Sequence, residues 1–265
     1  MAKTALVTGA SGGIGMELAQ LLAAENYHLI LADYRERELT DVAKRLKRAF
    51  PELDIDAIAM DLAAPGAAQT LFQKAGKPVH VLINNAGFGV VGHFKDTDWE
   101  RENRMIHLHV LTLTELCKLF GREMAAAGSG RIMNVASVAG FQPSPLMAVY
   151  NATKAYVLSF SEAIANELKG TGVTVTVLCP GLTITGFQEA VGVGSPKMTA
   201  NRLISAGARE VAQYGLKAMM KGKTIAIPGL LNRIFANMHR FLPRNTVTRL
   251  VRKAQERNRR FLKNG

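Results

Sequence analysis

Cysteine is scarce in this chain of 265 residues: Cys117 and Cys179 are the only two. Neither has a C-x-x-C companion or a metal-ligand spacing around it, so both are expected to be buried, reduced packing residues and no metal site is expected. Apolar runs approaching the ~20 residues needed to span a bilayer are also missing. The opening stretch MAKTALVTGASGG enters a strand pattern at once, without the cationic and apolar regions of a secretory signal, which points to a cytoplasmic protein. Acidic residues are few, 21 against 33 Lys and Arg.

That imbalance is local. Between Arg233 and Lys263 stand ten Lys and Arg against one acid, Glu256, so this segment carries nine of the twelve net positive charges. Its apolar residues Leu230, Leu231, Ile234, Phe235, Met238, Phe241 and Leu242 recur at helical spacing until Pro243 breaks the run. A basic amphipathic helix of this kind can lie on an anionic membrane surface, pack on its own domain or meet a partner subunit. Nucleic acid is not an expected partner, because no base-stacking platform accompanies the charge.

What is abundant is apolar sequence, 48% of the residues, arranged as short β-branched runs alternating with helix-length amphipathic stretches. The runs TALVTG (4–9), HLILAD (28–33), IDAIAMDL (55–62), VHVLINNAG (79–87), RIMNVAS (131–137), VTVTVLCPG (173–181) and KTIAIPG (223–229) read as seven strands. Between them lie long helical patterns, notably DWERENRMIHLHVLTLTELCKLFGREMAAAG and VYNATKAYVLSFSEAIANELKG. The pattern predicts an α/β fold, a doubly wound parallel sheet of about seven strands with helices on both faces. One domain over 1–230 is expected, with a basic C-terminal extension over 231–265. The aperiodic stretch 182–210 reads as a lid or binding loop.

Two patterns carry chemistry. The turn TGASGGIG, with Gly9, Ser11, Gly12, Gly13, Ile14 and Gly15, sits where the first strand gives way to the first helix. Glycines permit close backbone approach there, and the helix start offers free N–H groups and a positive dipole end to a pyrophosphate. Asp33, at the end of the second strand, stands near the ~20-residue offset from which an acid accepts hydrogen bonds from a ribose diol. The second pattern is VYNATKAY, in which Tyr150 and Lys154 are four apart. On a helix they share a face, and the ammonium is expected to lower the phenol pKa toward neutrality. Alone, such a pair more often describes an ordinary helix surface.

Together these residues resemble the short-chain dehydrogenase/reductase family over roughly residues 3–230. Its T-G-x-x-x-G-x-G motif is matched by Thr8, Gly9, Gly13 and Gly15, and its N-N-A-G by Asn84, Asn85, Ala86 and Gly87. Its Y-x-x-x-K is matched by Tyr150 and Lys154, its serine by Ser137, and the P-G after the sixth strand by Pro180 and Gly181. The resemblance implies a Rossmann-like sheet and an NAD(P)-dependent enzyme carrying hydride between nicotinamide and a ketone or secondary alcohol. Tyr150 would act as general acid/base, Ser137 would hold the carbonyl oxygen, and Lys154 would bind the nicotinamide ribose and tune Tyr150. Asp61 and Leu62 would flank adenine, Asn85 to Gly87 would pass beside the cofactor, and Thr183 and Thr185 would lie near the carboxamide. For Asp61, a simple loop-capping role is the competing reading.

NAD(H) is favoured over NADP(H), which stays possible. Asp33 would face a 2′-phosphate, and two anions ~4 Å apart repel by several kcal/mol at an effective dielectric of ~20. The basic residues that accompany NADP use in the family are replaced by Gly12 and Tyr34, although Arg35 can swing onto a phosphate. One departure stands out: where the family carries asparagine to anchor a proton-relaying water, IHLHV places His109. The expectation is a relay rebuilt through this imidazole, with reduced activity as the alternative. His107 reads as helix surface or interface.

The loop residues Leu182, Ile184, Phe187, Val191, Val193, Met198, Leu203 and Ile204 suggest an apolar, lipid-like substrate, with Phe88, Val90 and Phe141 as further walls. They equally suit packing of the loop onto the domain. Family resemblance implies a homodimer or homotetramer through the long helices after the fourth and fifth strands. A catalytically weak nucleotide-sensing or interaction protein on the same scaffold is the alternative function, supported in the sequence by His109 alone.

Overall fold

Side chains in alternating strand positions fall into two separate apolar layers, which is how a sheet covered on both faces must distribute them. In the first strand Ala5 and Val7 join one layer and Leu6 the other; in the second, Leu29 and Leu31 part from Ile30 and Ala32 in the same way. The computed structural model describes residues 3–184 and 205–263. Its strands β1 (Thr4–Thr8), β2 (His28–Asp33), β3 (Ile55–Ala59), β4 (Val81–Asn84), β5 (Gly130–Val135), β6 (Val173–Leu178) and β9 (Ile225–Ala226) form one sheet. The order is β3-β2-β1-β4-β5-β6-β9 and every pairing is parallel.

The helices α1 (Gly13–Ala24), α2 (Glu36–Ala49) and α7 (Ala208–Met220) bring Leu18, Leu22, Leu39, Leu46, Val211 and Leu216 to the first layer. On the opposite face α3 (Ala67–Ala75), α5 (Leu113–Ala126) and α6 (Ala148–Glu167) supply Leu71, Leu116, Phe120 and Val157. The architecture is therefore the Rossmann-like doubly wound sheet expected from the alternation of runs. Because all seven strands run the same way, their C-terminal ends share one edge. The crevice for a ligand in such sheets opens where the chain reverses its winding direction, here between β1 and β4.

Two departures from the expected pattern bear on the site. The stretch read as an aperiodic loop contains a short parallel pair, β7 (Leu182–Ile184) with β8 (Ser205–Gly207). Residues 185–204, which hold Thr185 and most of the expected lid, lie outside the described residues. The long helix after β4 is not uniform: α4 (Trp99–Ile106) widens into a π-helical turn over His107–Thr112 before α5 begins. A π turn inserts a residue and resets the helical face, and His109 and Thr112 are buried by it.

Beyond β9 follow α8 (Leu230–Asn237), a 3-10 turn at Met238–Arg240 and α9 (Arg244–Lys263). Ala236, Val247 and Val251 are buried, so this segment packs on the domain.

Candidate active site

Thr8 ends β1 and ties it to β4 across the crevice. Its hydroxyl donates to the Ile83 carbonyl at 3.2 Å and accepts from the Asn85 and Ala86 N–H groups at 2.9 and 3.0 Å. Asn85 answers by donating its amide to the carbonyls of Thr8 and Gly9, at 3.0 and 3.1 Å. This clamp places Asn85, Ala86 and Gly87 directly beside the glycine turn. Gly9 has φ +67 and its missing Cβ would lie 2.8 Å from the Ala86 Cα, so both its conformation and its packing require glycine.

The turn leads into α1 with Gly12 at the N-cap, where no side chain caps the helix. The N–H groups of Gly13, Ile14 and Gly15 thus have no partner in the helix, which makes an anion site of them. Among the described residues, Ser11 Oγ is buried and without a hydrogen-bond partner. Asp33 is also buried; its carboxylate accepts from the Ser11 N–H at 3.1 Å and the Arg35 N–H at 3.0 Å, while Arg35 Nε lies 3.4 Å away. An unpaired hydroxyl, uncapped amides and a fixed carboxylate along one edge fit the pyrophosphate and ribose of a dinucleotide. Further along, Asp61 accepts from the Ala63 N–H at 2.9 Å and pairs with Arg104 Nη2 at 2.8 Å. Leu62 is buried and its carbonyl accepts from Thr112 Oγ1 at 2.8 Å.

Ser137 follows β5 and caps the 3-10 turn Val138–Phe141, its Oγ accepting from the Ala139 N–H at 3.1 Å. The Pro180 carbonyl accepts from the Val138 N–H at 2.9 Å, and with Gly181 and the buried Thr183 it brings the end of β6 to the same edge. From the facing helix α6, Tyr150 reaches this turn, near enough to Ser137 for the serine hydroxyl to act on its pKa. Lys154 lies one helical turn on, its Nζ 5.8 Å from the Tyr150 ring centroid and donating to the Val135 carbonyl at 2.9 Å. Tyr150 sits in an apolar cluster with Val90 and Met105, flanked by Phe88, Ala139, Met147 and Val149. Phe141, expected among these walls, packs instead toward the core beneath the sheet.

Burial reverses the expected tuning of Tyr150. Desolvation pushes its phenol up to about 12, and the nearby Ser137 hydroxyl offsets only part of that rise. Lys154 is desolvated as well, and its ammonium is brought down to about 8. The expectation that Lys154 lowers the Tyr150 pKa toward neutrality is therefore corrected: both charged forms are disfavoured by burial, and the phenol holds its proton.

His109, through which a relay is expected, is held on both sides of its ring. The ring is buried; Nε2 accepts from the Phe88 N–H at 3.3 Å and Nδ1 lies 2.9 Å from Thr153 Oγ1. That hydroxyl donates onward to the Tyr150 carbonyl at 2.8 Å, so it accepts from Nδ1–H. Among the described residues both ring nitrogens thus have protein partners, and burial with the nearby Lys154 charge holds the pKa well below its ordinary 6.5. Gly87 permits the contact, since a Cβ there would stand 2.7 Å from Nε2.

Sequence reasoning missed Thr153 and Arg104. The first is visible only as a hydroxyl between Tyr150 and Lys154, and the second gives no local sign because its partner Asp61 is 43 positions away.

The chain matches the family model described as short chain dehydrogenase over residues 3–196. It is 32% identical over 223 residues to a 7beta-hydroxysteroid dehydrogenase of Collinsella aerofaciens, covering 84% of each chain. Among solved structures it resembles a short-chain dehydrogenase from Sphingobium yanoikuyae in complex with NADPH, with TM-score 0.80, 28% identity and coverage of 91% of this chain and 96% of that one. A short chain dehydrogenase/reductase from Burkholderia phymatum in complex with NAD gives TM-score 0.80 at 25% identity, over 90% and 93% of the two chains. Matched across most of its length by the family model and by these relatives, the chain belongs to the short-chain dehydrogenase/reductase family of oxidoreductases.

Proposed function

We propose that this protein is an NAD(P)-dependent oxidoreductase that interconverts a ketone and a secondary alcohol on an apolar, lipid-like substrate, with Tyr150 as the general acid/base. The observation that supports it most directly is the convergence of Tyr150, Ser137 and Lys154 with the glycine turn on one sheet edge. A nicotinamide dinucleotide supplies the hydride chemistry when bound. Ser137 donates a hydrogen bond to the substrate oxygen and fixes its position. Tyr150, whose phenol holds its proton to about 12, gives that proton to the oxygen as its negative charge grows, and takes it back in the oxidising direction. Lys154, fixed by the Val135 carbonyl, presents its ammonium beside the phenol and stabilises the tyrosinate left behind.

Gly9, Ser11, Gly13, Ile14 and Gly15 would hold the pyrophosphate, and Asp33 the adenosine ribose. Asp61 and Leu62 would flank adenine, Asn85 to Gly87 would line the cofactor, and Pro180, Gly181, Thr183 and Thr185 would border the nicotinamide. NAD is favoured because Asp33 is a buried carboxylate; Arg35, tied to Asp33, is the residue through which NADP would be accepted. The apolar surroundings of Tyr150, namely Val90, Met105, Phe88 and Met147, support an apolar substrate.

Assembly as a homodimer or homotetramer is supported by the outward faces of the π turn and α6, where Leu111 and Tyr156 are exposed and Tyr156 stacks on Phe160. Among the described residues no helix is long and apolar enough to cross a membrane. A screen of alcohols and ketones of graded chain length, followed by the absorbance of reduced nicotinamide, tests the activity. Turnover lost in Tyr150→Phe with cofactor binding retained is the expected result; cofactor binding without turnover across the panel would favour the nucleotide-sensing alternative.

A further inference from the structure

Folded proteins seldom leave several large apolar side chains outside together without a partner for them. In α8 and the turn that follows, Leu230 is 70% exposed, Ile234 59% and Phe241 84%, and Leu231 and Leu242 are exposed beside them. A groove runs between Ile234, Met238, Phe241 and Leu242, with Arg233 on its wall. The scaffold beneath is fixed. Arg233 donates from Nε to the Ile227 carbonyl at 3.1 Å and from Nη2 to the Tyr214 hydroxyl at 2.9 Å. Gln142 donates to the Phe235 carbonyl at 3.3 Å, Gln255 reaches Ser144 Oγ at 3.3 Å, and Val247 and Val251 anchor α9.

Within α8, the turn and the start of α9, the exposed charges have one sign. Arg233, Arg240, Arg244, Arg249, Arg252 and Lys253 are all exposed, and the acid of this stretch, Glu256, is paired with Arg252 at 2.8 Å. We infer that α8, the Met238–Arg240 turn and α9 form a docking surface for an anionic lipid bilayer, with Leu230, Ile234 and Phe241 entering the interface and the cations meeting the headgroups. Charge complementarity selects this occupant. A second copy of the chain related by two-fold symmetry would set like charges against like, since an isologous contact pairs the same patch with itself. An anionic membrane surface satisfies the cations and receives the apolar side chains at once.

The position of the surface gives it a consequence. Through Gln142 and Gln255 it packs on the 138–147 segment that leads into Tyr150, so docking would bring the substrate side of the crevice near the lipid. The inference itself does not depend on turnover.

Flotation of the full-length protein with vesicles of phosphatidylcholine alone, and of phosphatidylcholine with about one-third phosphatidylglycerol, tests it. Binding to the anionic vesicles alone is expected, weakened at least tenfold when salt is raised from ~0.1 M to ~1 M. The pair Leu230→Asp and Phe241→Asp, and separately Arg240→Glu with Arg244→Glu, should each lower binding at least tenfold in protein whose melting is unchanged. Tyr150→Phe should float like the parent, which separates failure of this inference from failure of the catalytic reading. The inference is overturned if folded protein ignores anionic vesicles, binds neutral ones equally, or keeps its binding in both surface variants. It is also overturned if Leu230→Asp with Phe241→Asp converts an oligomer to monomers, since a second copy then covers the patch.

Discussion

His109 Nδ1 lies 2.9 Å from Thr153 Oγ1, and this contact joins the π turn of the α4–α5 rod to the helix that carries Tyr150 and Lys154. With Nε2 receiving the Phe88 N–H, the neutral imidazole bridges three segments: the turn after β4, the π turn and α6. Protonation would break this bridge by removing the Nε2 acceptor.

A pH dependence of stability follows. The folded pKa of His109 is well below its ordinary 6.5, so as pH falls below 6.5 the unfolded chain takes up a proton that the folded chain refuses. Stability contributed above 6.5 is therefore lost on acidification. The melting temperature should fall more steeply from neutral to acid pH in the parent than in His109→Asn. His109→Ala should cost about 2–4 kcal/mol in denaturant unfolding, from the lost buried hydrogen bonds and the cavity. Equal pH slopes in parent and His109→Asn would show that the imidazole is not held neutral.

The Tyr150 phenol should carry its proton throughout the physiological range, since burial lifts it to about 12. Ultraviolet difference titration of parent against Tyr150→Phe should reveal no phenolate from this residue until well above the ordinary tyrosine value of 10.0. The same substitution should cut carbonyl reduction by about 10²- to 10⁴-fold with cofactor affinity nearly unchanged. A phenolate signal near neutrality would reinstate the simpler picture of a tyrosine ionised by its lysine.

The difference between those two pictures marks where local sequence stops being informative. Four-residue spacing correctly brought Lys154 and Tyr150 to one helical face, because that depends only on helix geometry. Whether the cation or the desolvation dominates depends on Val90, Met105 and Phe88, which reach Tyr150 from other elements. Strand positions were legible because the period-two pattern reports burial on two faces, and the glycine turn was legible because its backbone demands are local. The π turn and the Asp61–Arg104 pair were not, because they are settled by tertiary approach.

Lys154 should impose a second ionisation on the reaction. Burial brings its ammonium down to about 8, so the charge is present below that pH and lost above it. The value of kcat/KM for reduction should fall as pH rises through about 8, and Lys154→Arg should remove that decline while lowering the rate. In unfolding experiments the sign is opposite: between about 8 and the ordinary 10.5 the unfolded chain binds more protons, so stability rises with pH. A profile flat across this interval would mean that the ammonium is not used.

In the proposed binding mode Asp33 is the point at which the two dinucleotides would be told apart. Its carboxylate is buried and held by the Ser11 and Arg35 N–H groups, so it cannot easily move from a 2′-phosphate. Asp33→Ala should raise the NADP/NAD ratio of kcat/KM by about 10- to 100-fold, a fraction of the several kcal/mol that ~4 Å repulsion would impose at an effective dielectric of ~20. Parent efficiency with NADPH comparable to that with NADH would show that Arg35 already neutralises the acid.

Arg104 offers a test in which stability and function should separate. Its pair with Asp61 is 2.8 Å long but about half exposed on both sides, so solvent screens it. Arg104→Ala should therefore change unfolding free energy by less than ~1 kcal/mol. Asp61 would then lose the partner that orients its Oδ2, and the reach of that carboxylate toward adenine would be less well defined. The expected signature is a several-fold rise in cofactor KM with kcat nearly unchanged, since in the proposed binding mode the adenine end would lie away from the transferring atoms. A fall in kcat of similar size would instead place Arg104 in control of α4 and, through the π turn, of His109.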